Sequence, residues 1–381
     1  MPPSPPARLL GLDVFRGAAV AGMILVNSAG SWAHVWWPLD HAAWHGFTPA
    51  DLVFPAFLFA MGVALGLSFP RPLDRADRAA MWRRIVRRTL ALIALGWAIA
   101  ILARGPVDLR LPGVLPRIGL CYGMAGALAL VSAHRIADGR AALSMVVPAG
   151  AVAVLLLGYW AAMMLVPVPG HGAGMLDPAG NLAAWIDRSV LTPAHMWKGG
   201  TDATGAVVYD PEGLLSTLPA LANVLLGMLA AAAWKADPAR APGRILIAGI
   251  ALALLGLALH PLFPINKRLW TSSFALLTAG LSAVLLVSSI RAGASAAAMR
   301  LLAPLHMLGM NAILGYMLGA LLNIFGNHRF GGTTAQQWGF AHMRALVGDP
   351  YLASFLCACG ILALVLAMVW PFHRRGIHLR L

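Results

Sequence analysis

The sequence predicts an all-α protein, a polytopic membrane bundle of about ten transmembrane helices with both termini in the cytoplasm. Its composition, its apolar runs and the placement of its basic residues lead to this prediction. Of 381 residues, 60% are hydrophobic and 11% are charged, whereas soluble domains average about 25% charged residues. This composition excludes an ordinary soluble enzyme. We interpret residues 1–381 as a single transmembrane domain.

A spanning helix needs about 20 mostly apolar residues, and ten stretches of the chain meet or approach this length. The first contains Asp13 and Arg16 and follows a proline-rich start, which is unlike a cleaved signal peptide. We therefore expect it to remain as the first helix. The third is short, although its basic flank could lengthen it. The stretches are approximately 9–28, 51–69, 89–103, 113–133, 144–166, 214–234, 244–260, 269–290, 301–325 and 350–370.

The basic residues predict the orientation. With a cytoplasmic N-terminus, 18 of the 28 lysines and arginines fall in the inner segments, as the positive-inside rule requires. The net charge of +14 thus mainly reflects the orientation of the chain in the membrane. It indicates membrane lipid, not nucleic acid, as the partner. Some of it could also serve a cytoplasmic phosphate-bearing ligand. The oligomeric state stays open, with a homodimer as one candidate.

Three outer segments, 29–50, 167–213 and 326–349, are rich in residues that favour loops, and we predict loops with short interfacial pieces. The first carries the most chemistry. Between Asn27 and Asp51 lie three histidines, four tryptophans and two aspartates. Neutral imidazole is well suited to remove a proton from an amine or hydroxyl near pH 7, and it can carry an acyl group.

His41 and His45 are four residues apart, but no glutamate lies between them as in the HExxH motif, and Gly46 would interrupt a helix. We therefore expect no metal site. Asp40 or Asp51 could orient an imidazole through its second nitrogen. Asp51 could equally cap the second helix.

Other polar residues near the spans are candidates for binding. Asn27 could hold a carbonyl oxygen or a sugar hydroxyl. Asp210 and Glu212 precede the sixth span, where they could bind a cationic amino sugar or favour the helix N-terminus. We take them, together with Trp44 and His45, as the substrate-binding candidates. Candidates for the phosphate or amide groups of an acyl donor are Arg16, which could instead only clamp Asp13, together with Arg117, Lys267 and Asn311.

Six blocks of the sequence run in order from about residue 8 to residue 317. They are LDVFRGAAVAGMILVNSAG, LDHAAWHGFTPADLVFPAFLFAMG, LPRIGLCY, YDPEGLLSTLPA, INKRLWTSSFALLTAG and GMNAILGY. Together these blocks resemble the heparan-alpha-glucosaminide N-acetyltransferase family, and in particular its bacterial, NagX-like branch.

The resemblance implies a polytopic enzyme that transfers acetyl from cytoplasmic acetyl-CoA to the amino group of a glucosamine across a bacterial inner membrane. It also implies that His41 is the catalytic histidine and that Asn27 corresponds to the asparagine of the family's VN pair. Lysosomal members carry a lumenal domain before the first span. This sequence begins almost at the first span, so we expect a smaller periplasmic glucosamine, a chitosan-type oligosaccharide or a cell-wall sugar as the acceptor.

In this hypothesis His41 acts as base or acyl carrier, Asn27 as a possible oxyanion donor, and Asp51 or Asp40 as the orienting carboxylate. Two other functions stay open at this stage. An amino-sugar transporter would also place charges inside a polytopic bundle. A polysaccharide O-acyltransferase would differ only in its acceptor.

Overall fold

The computed structural model describes residues 9–69, 75–135, 141–142 and 144–378 of the chain. Helices dominate this part of the chain, and its strands form two short hairpins. The helices are α1 Leu10–Asn27, α2 Val53–Ser68, α3 Arg75–Arg104, α4 Val114–Val131, α5 Val146–Leu165, α6 Leu182–Val190, α7 Thr217–Ala236, α8 Ala241–Ala258, α9 Ser272–Gly293, α10 Ala296–Leu301, α11 Ala303–Met310, α12 Ala312–Gly326, α13 Ala335–Val347 and α14 Pro350–Arg374. Single 3₁₀ turns cover Pro49–Leu52 and Pro193–His195. The strands are β1 His134–Arg135 with β2 Ala141–Ala142, and β3 Arg329–Phe330 with β4 Thr333–Thr334, each pair antiparallel.

In the described part of the chain, nine helices are long and apolar enough to cross a membrane. Helices α11 and α12 meet at a bend of 93° and make a tenth span if they are counted together. Each of the ten predicted stretches coincides with one of these spans, so the all-α polytopic prediction is confirmed. The third span is longer than predicted, because α3 begins within its arginine-rich flank at Arg75, and arginine is a good helix former.

One predicted loop contains more helix than expected. Segment 326–349 forms α13, a helix of 13 residues that begins with a capping box. The hydroxyl of Thr334 accepts a hydrogen bond from the backbone N–H of Gln337, whose side chain in turn accepts one from the backbone N–H of Thr334. A Thr-x-x-Gln sequence is the usual signature of this cap, so the sequence did contain the signal.

The chain divides into two compact units. The terminal unit comprises the described residues of 1–41, 48–60 and 284–380, and the central unit those of 42–47 and 61–283. In the terminal unit, α1 packs on α11, α12 and α14, and α13 packs on α14. In the central unit, α4 packs on α3 and α7, and α7 also packs on α5 and α8.

Glycines allow the closest helix contacts in both units. In the terminal unit, a Cβ added at Gly17 would lie 1.8 Å from the carbonyl oxygen of Leu305. In the central unit, one added at Gly62 would lie 2.0 Å from the carbonyl oxygen of Val224. Backbones can approach this closely only where the side chain is absent, as is common between membrane helices.

Candidate active site

A histidine and a buried carboxylate form a direct pair in the terminal unit. Nδ1 of His41 lies 2.8 Å from Oδ1 of Asp51, whose side chain is completely buried. Asp51 belongs to the 3₁₀ turn that leads into α2, and its other oxygen, Oδ2, accepts a hydrogen bond of 3.0 Å from the backbone N–H of Thr48. One carboxylate therefore both caps the turn and holds the imidazole.

The pair determines which nitrogen of His41 is available for chemistry. An ionised carboxylate only accepts hydrogen bonds, so contact with Asp51 favours the tautomer that carries its proton on Nδ1. Nε2 then keeps its lone pair and can accept a proton. The His41 side chain is 32% exposed. In hydrolases that use a carboxylate-oriented histidine as base, the carboxylate likewise contacts one ring nitrogen while the other accepts the proton.

The two candidates for orienting the imidazole, Asp40 and Asp51, have different contacts in the structure. Oδ1 of Asp40 accepts a hydrogen bond of 2.8 Å from the backbone N–H of His41, and the backbone carbonyl of Asp40 accepts one of 2.6 Å from the Thr48 hydroxyl. Asp40 thus holds the loop backbone, while Asp51 contacts the ring. Asn27 is the last residue of α1 and is exposed.

The next residues of the same loop, Trp44 and His45, lie in the central unit. The indole N–H of Trp44 donates to the carbonyl oxygen of Leu176 over 2.8 Å, and its ring meets that of Tyr209 edge-on with centroids 5.1 Å apart. The guanidinium of Arg268 lies over both rings, 6.0 Å from the Trp44 centroid and 5.8 Å from the Tyr209 centroid. Aromatic faces next to a guanidinium can contact a polar ligand through stacking and cation–π interactions.

His45 is bound to the loop that precedes α9. Its Nδ1 lies 3.3 Å from the side-chain nitrogen of Asn266, which donates to it. Partial burial, followed by the proximity of His260, lowers the pKa of His45. Both effects favour the neutral imidazole. Asn266 also accepts from the backbone N–H of Leu269 over 2.9 Å, so this one amide shapes the loop and positions the ring.

Asp210 and Glu212 are engaged by an arginine that the sequence analysis did not single out. Arg110 donates to both oxygens of Asp210, over 2.8 Å from Nε and 2.5 Å from Nη2, and also to Glu212. Burial alone would lower the pKa of Arg110, but the two carboxylates outweigh it and raise the pKa. The backbone N–H of Trp197 donates to Asp210 as well. The single positive charge of Arg110 therefore compensates only part of the negative charge of this pair.

Two of the four donor-binding candidates lie in the terminal unit, around the break between α11 and α12. Arg16 donates from Nε to the carbonyl oxygen of Gly309 over 2.6 Å and from Nη2 to Asp13 over 2.8 Å. Asn311 is completely buried at the break, and its amide nitrogen lies 3.5 Å from Nδ1 of His378. Arg16 thus forms the clamp with Asp13 that its spacing allowed, and it also contacts the broken span.

The other two candidates lie in the central unit. Arg117 is buried in the first turn of α4, where Nη2 donates to the hydroxyl of Ser216 over 2.5 Å and the guanidinium lies 5.1 Å from the Trp270 ring centroid. Within the described residues, Nε and Nη1 of Arg117 have no hydrogen-bond partner. Two buried donors of this kind could bind a carbonyl or phosphate oxygen. Lys267 is half-buried in the loop before α9.

The fold and this pair together define a class: a multi-pass helical membrane protein with a carboxylate-oriented histidine in a loop between its first two spans. Comparison with known proteins gives the family. Residues 8–176 match the family model of the heparan-alpha-glucosaminide N-acetyltransferase catalytic region. The resemblance found in the sequence is thus confirmed, and the chain belongs to this family.

Two curated relatives carry the name heparan-alpha-glucosaminide N-acetyltransferase. The human protein is 33% identical to this chain over 310 residues, which is 71% of the chain and 46% of the human sequence. The mouse protein is 31% identical over 307 residues, or 70% of the chain and 46% of its own length. The chain therefore spans about half the length of the curated relatives that it matches.

Proposed function

We propose that this protein is a transmembrane acetyltransferase that moves an acetyl group from acetyl-CoA to the amino group of a glucosamine or a glucosamine-containing saccharide. The observation that carries the proposal is the 2.8 Å contact between Nδ1 of His41 and Asp51. With the ring proton held on Nδ1, Nε2 carries the lone pair that accepts a proton from the amine. The names of the two relatives support the choice of acetyl transfer to a glucosaminide.

The proposed reaction needs one base and a well-positioned donor. The sugar nitrogen attacks the thioester carbonyl carbon while Nε2 of His41 takes the proton from that nitrogen. The tetrahedral intermediate then collapses, the C–S bond breaks, and the imidazolium returns its proton to the departing CoA sulfur. The products are an N-acetylated sugar and CoA, and His41 ends in its starting state. Asp51 stabilises the transient imidazolium.

An acyl-carrier route uses the same groups. In that route Nε2 of His41 attacks the thioester first, CoA leaves, and the amine then takes the acetyl group from the ring. For the acetyl-CoA donor we propose contacts with Arg16, Arg117, Lys267 and Asn311. Arg117 is the most favourable of these, because two of its buried N–H groups have no partner in the described residues. Asn27, at the exposed end of α1, is the proposed holder of the acceptor or oxyanion.

We further propose that both termini are cytoplasmic, that the donor is taken from the cytoplasm and that the membrane is a bacterial inner membrane. Trp44 and His45 are the proposed acceptor contacts. Asp210 and Glu212 are further proposed acceptor contacts, since Arg110 pairs with both of them and its single positive charge leaves one negative charge for a cationic amino sugar. An amino-sugar transporter is less well supported, since the described residues contain one broken span and the usual transporter pattern needs a corresponding pair.

The test uses the full chain, purified and reconstituted in lipid nanodiscs, with isotope-labelled acetyl-CoA. Glucosamine and a chitosan oligosaccharide serve as acceptors, and glucose serves as the neutral-sugar control. We expect N-acetylated products, identified by mass spectrometry. A properly placed base contributes about 10²–10⁴-fold to the rate, so His41→Ala should lose turnover by that factor and still bind acetyl-CoA.

The matched control is His171→Ala, which removes an exposed histidine from another loop and should leave turnover unchanged. Full activity in a well-folded His41→Ala protein would remove His41 from the mechanism. Acetylation of glucose in preference to glucosamine would identify an O-acyltransferase. An acetyl group retained on the protein in the absence of acceptor, and lost in His41→Ala, would identify the acyl-carrier route.

A further inference from the structure

A groove separate from the His41 pair runs between α11 and α14 in the terminal unit. It has a volume of about 550 Å³, which is within the range of ligand-binding cavities. Its walls are apolar except for His373, which lies at the C-terminal end of α14. The apolar wall residues are Ala303, Pro304 and Met307 of α11 with Leu366, Ala367 and Trp370 of α14.

One end of this groove contains His373, and three arginines lie close in sequence to its wall residues. Nδ1 of His373 is buried and, among the described residues, has no hydrogen-bond partner. Arg374 is exposed and lies over the ring of Trp370, with its guanidinium carbon 4.8 Å from the centroid. Arg375 is exposed beside it, and the exposed Arg300 precedes the start of α11 by three residues. Among the described residues, no carboxylate lines the groove.

We propose that this groove binds an anionic phospholipid, with an acyl chain along the apolar walls and the phosphate at the arginine end. An amphiphile with a long apolar part and a single anionic head complements walls that are apolar and an end that is cationic. Trp370 is 52% exposed, as expected of an aromatic residue at the lipid interface. Basic pockets between spanning helices are known to accept anionic headgroups, and Nδ1 of His373 can bind a phosphate oxygen or hydroxyl.

The experiment measures lipid retained by the full chain in native mass spectrometry, after purification from vesicles of phosphatidylcholine with or without phosphatidylglycerol. We expect the wild type to retain phosphatidylglycerol in preference to phosphatidylcholine. Each arginine near an anionic surface contributes about a factor of five, so Arg374→Gln with Arg375→Gln should weaken retention roughly twenty-five-fold. Ala367→Trp should fill the groove and abolish retention.

Two controls separate the groove from the remaining surface. Ala363→Trp adds the same bulk one turn earlier on α14, outside the groove walls, and Arg244→Gln removes an exposed arginine in the central unit. Both should retain lipid as the wild type does. Equal retention of the two lipids, or normal retention by Ala367→Trp, would overturn the proposal. So would displacement of the lipid by acetyl-CoA together with a raised KM for acetyl-CoA in Ala367→Trp, because the groove would then belong to the acyl donor.

Discussion

The buried carboxylate of Asp51 holds Nδ1 of His41 at 2.8 Å. Replacing Asp51 by Asn keeps the shape of the side chain, but the amide can donate its own N–H to Nδ1. This favours the tautomer with the proton on Nε2, where the proposed base needs a lone pair. We expect Asp51→Asn to lower kcat by about 10²–10⁴-fold, the full contribution of a general base, with the KM for acetyl-CoA nearly unchanged. Steady-state kinetics in nanodiscs measures both.

Asp51 also caps the turn that leads into α2, so a stability control is needed. Thr48→Ala removes the hydroxyl that donates to the carbonyl oxygen of Asp40 and lies 3.1 Å from Oδ2 of Asp51. It keeps Oδ1 of Asp51, the oxygen that contacts His41. Loss of a helix cap costs about 0.5–2 kcal/mol. We therefore expect Thr48→Ala to lower the melting temperature while kcat falls far less than in Asp51→Asn. Equal kcat losses in the two variants would mean that Asp51 affects turnover only by stabilising the turn and not by orienting His41.

Arg110 forms ion pairs with two carboxylates, one of them completely buried. Arg110→Gln would leave Asp210 and Glu212 with uncompensated negative charge in a region from which water is largely excluded. Breaking a buried ion pair from one side typically costs about 3–5 kcal/mol. We expect a loss of this size in chemical unfolding in detergent. The control Arg104→Gln removes an exposed arginine at the end of α3 and should change stability by less than about 0.5 kcal/mol.

A double variant separates charge compensation from simple packing by Arg110. Asp210→Asn removes one of the stranded charges, so Arg110→Gln combined with Asp210→Asn should be more stable than Arg110→Gln alone. If the second substitution instead adds its own full cost, the side chain of Arg110 matters for its volume and not for its charge. Such non-additivity is expected of residues in direct contact.

The spans were predictable because each depends on a local property, a run of about 20 apolar residues. The break at Asn311 was not predictable, because the contacts around it join residues distant in sequence. Arg16 donates to the carbonyl oxygen of Gly309, 293 residues away. A continuous span was therefore expected, and the structure bends it by 93°.

In the candidate site, too, the local features were predictable from the sequence and the distant contacts were not. The sequence identified His41 and two possible orienting aspartates, Asp40 and Asp51, ten residues or fewer from the ring. Which of them contacts it depends on the turn that Thr48 caps, and this required coordinates. The sequence could not predict that Arg110 pairs with Asp210. The two residues lie in different loops, 100 residues apart, and helical periodicity relates only residues of the same helix.

Asp187 should make stability depend on pH. It lies in α6, outside the spans, and accepts a hydrogen bond of 2.8 Å from the backbone N–H of Leu214. Burial raises the pKa of Asp187 from 3.8 to about 7, although this hydrogen bond opposes the rise. The unfolded chain therefore releases this proton at lower pH than the folded protein does. The contribution to stability is fully present below about pH 4 and is lost as the pH rises through about 7.

The measurement is the melting temperature between pH 4 and pH 8 for the wild type and Asp187→Asn. We expect a flatter profile for the variant, because asparagine does not ionise and its carbonyl can still accept from Leu214. The contrast is Asp202→Asn. Hydrogen bonds from Thr204, chiefly from its side chain, lower the pKa of Asp202, so this residue loses its contribution only as the pH falls. Asp202→Asn should leave the slope above pH 5 unchanged, and parallel profiles for wild type and Asp187→Asn would contradict the prediction.

Gly309 should tolerate no side chain, whereas another helical glycine of the same unit should accept one. A Cβ at Gly309 would lie 1.7 Å from the carbonyl oxygen of Asp13, while a Cβ at Gly360 in α14 would meet no atom within 4 Å. Gly309→Ala must therefore push α11 away from α1 and disturb the Arg16 contact, at a cost of about 1–3 kcal/mol or more, as for other overpacked sites. Gly360→Ala should instead be neutral or stabilising by up to about 1 kcal/mol, because alanine has the better helix propensity. Chemical unfolding in detergent compares the two, and an equal response at both positions would mean that the α1–α11 contact is looser than the structure has it.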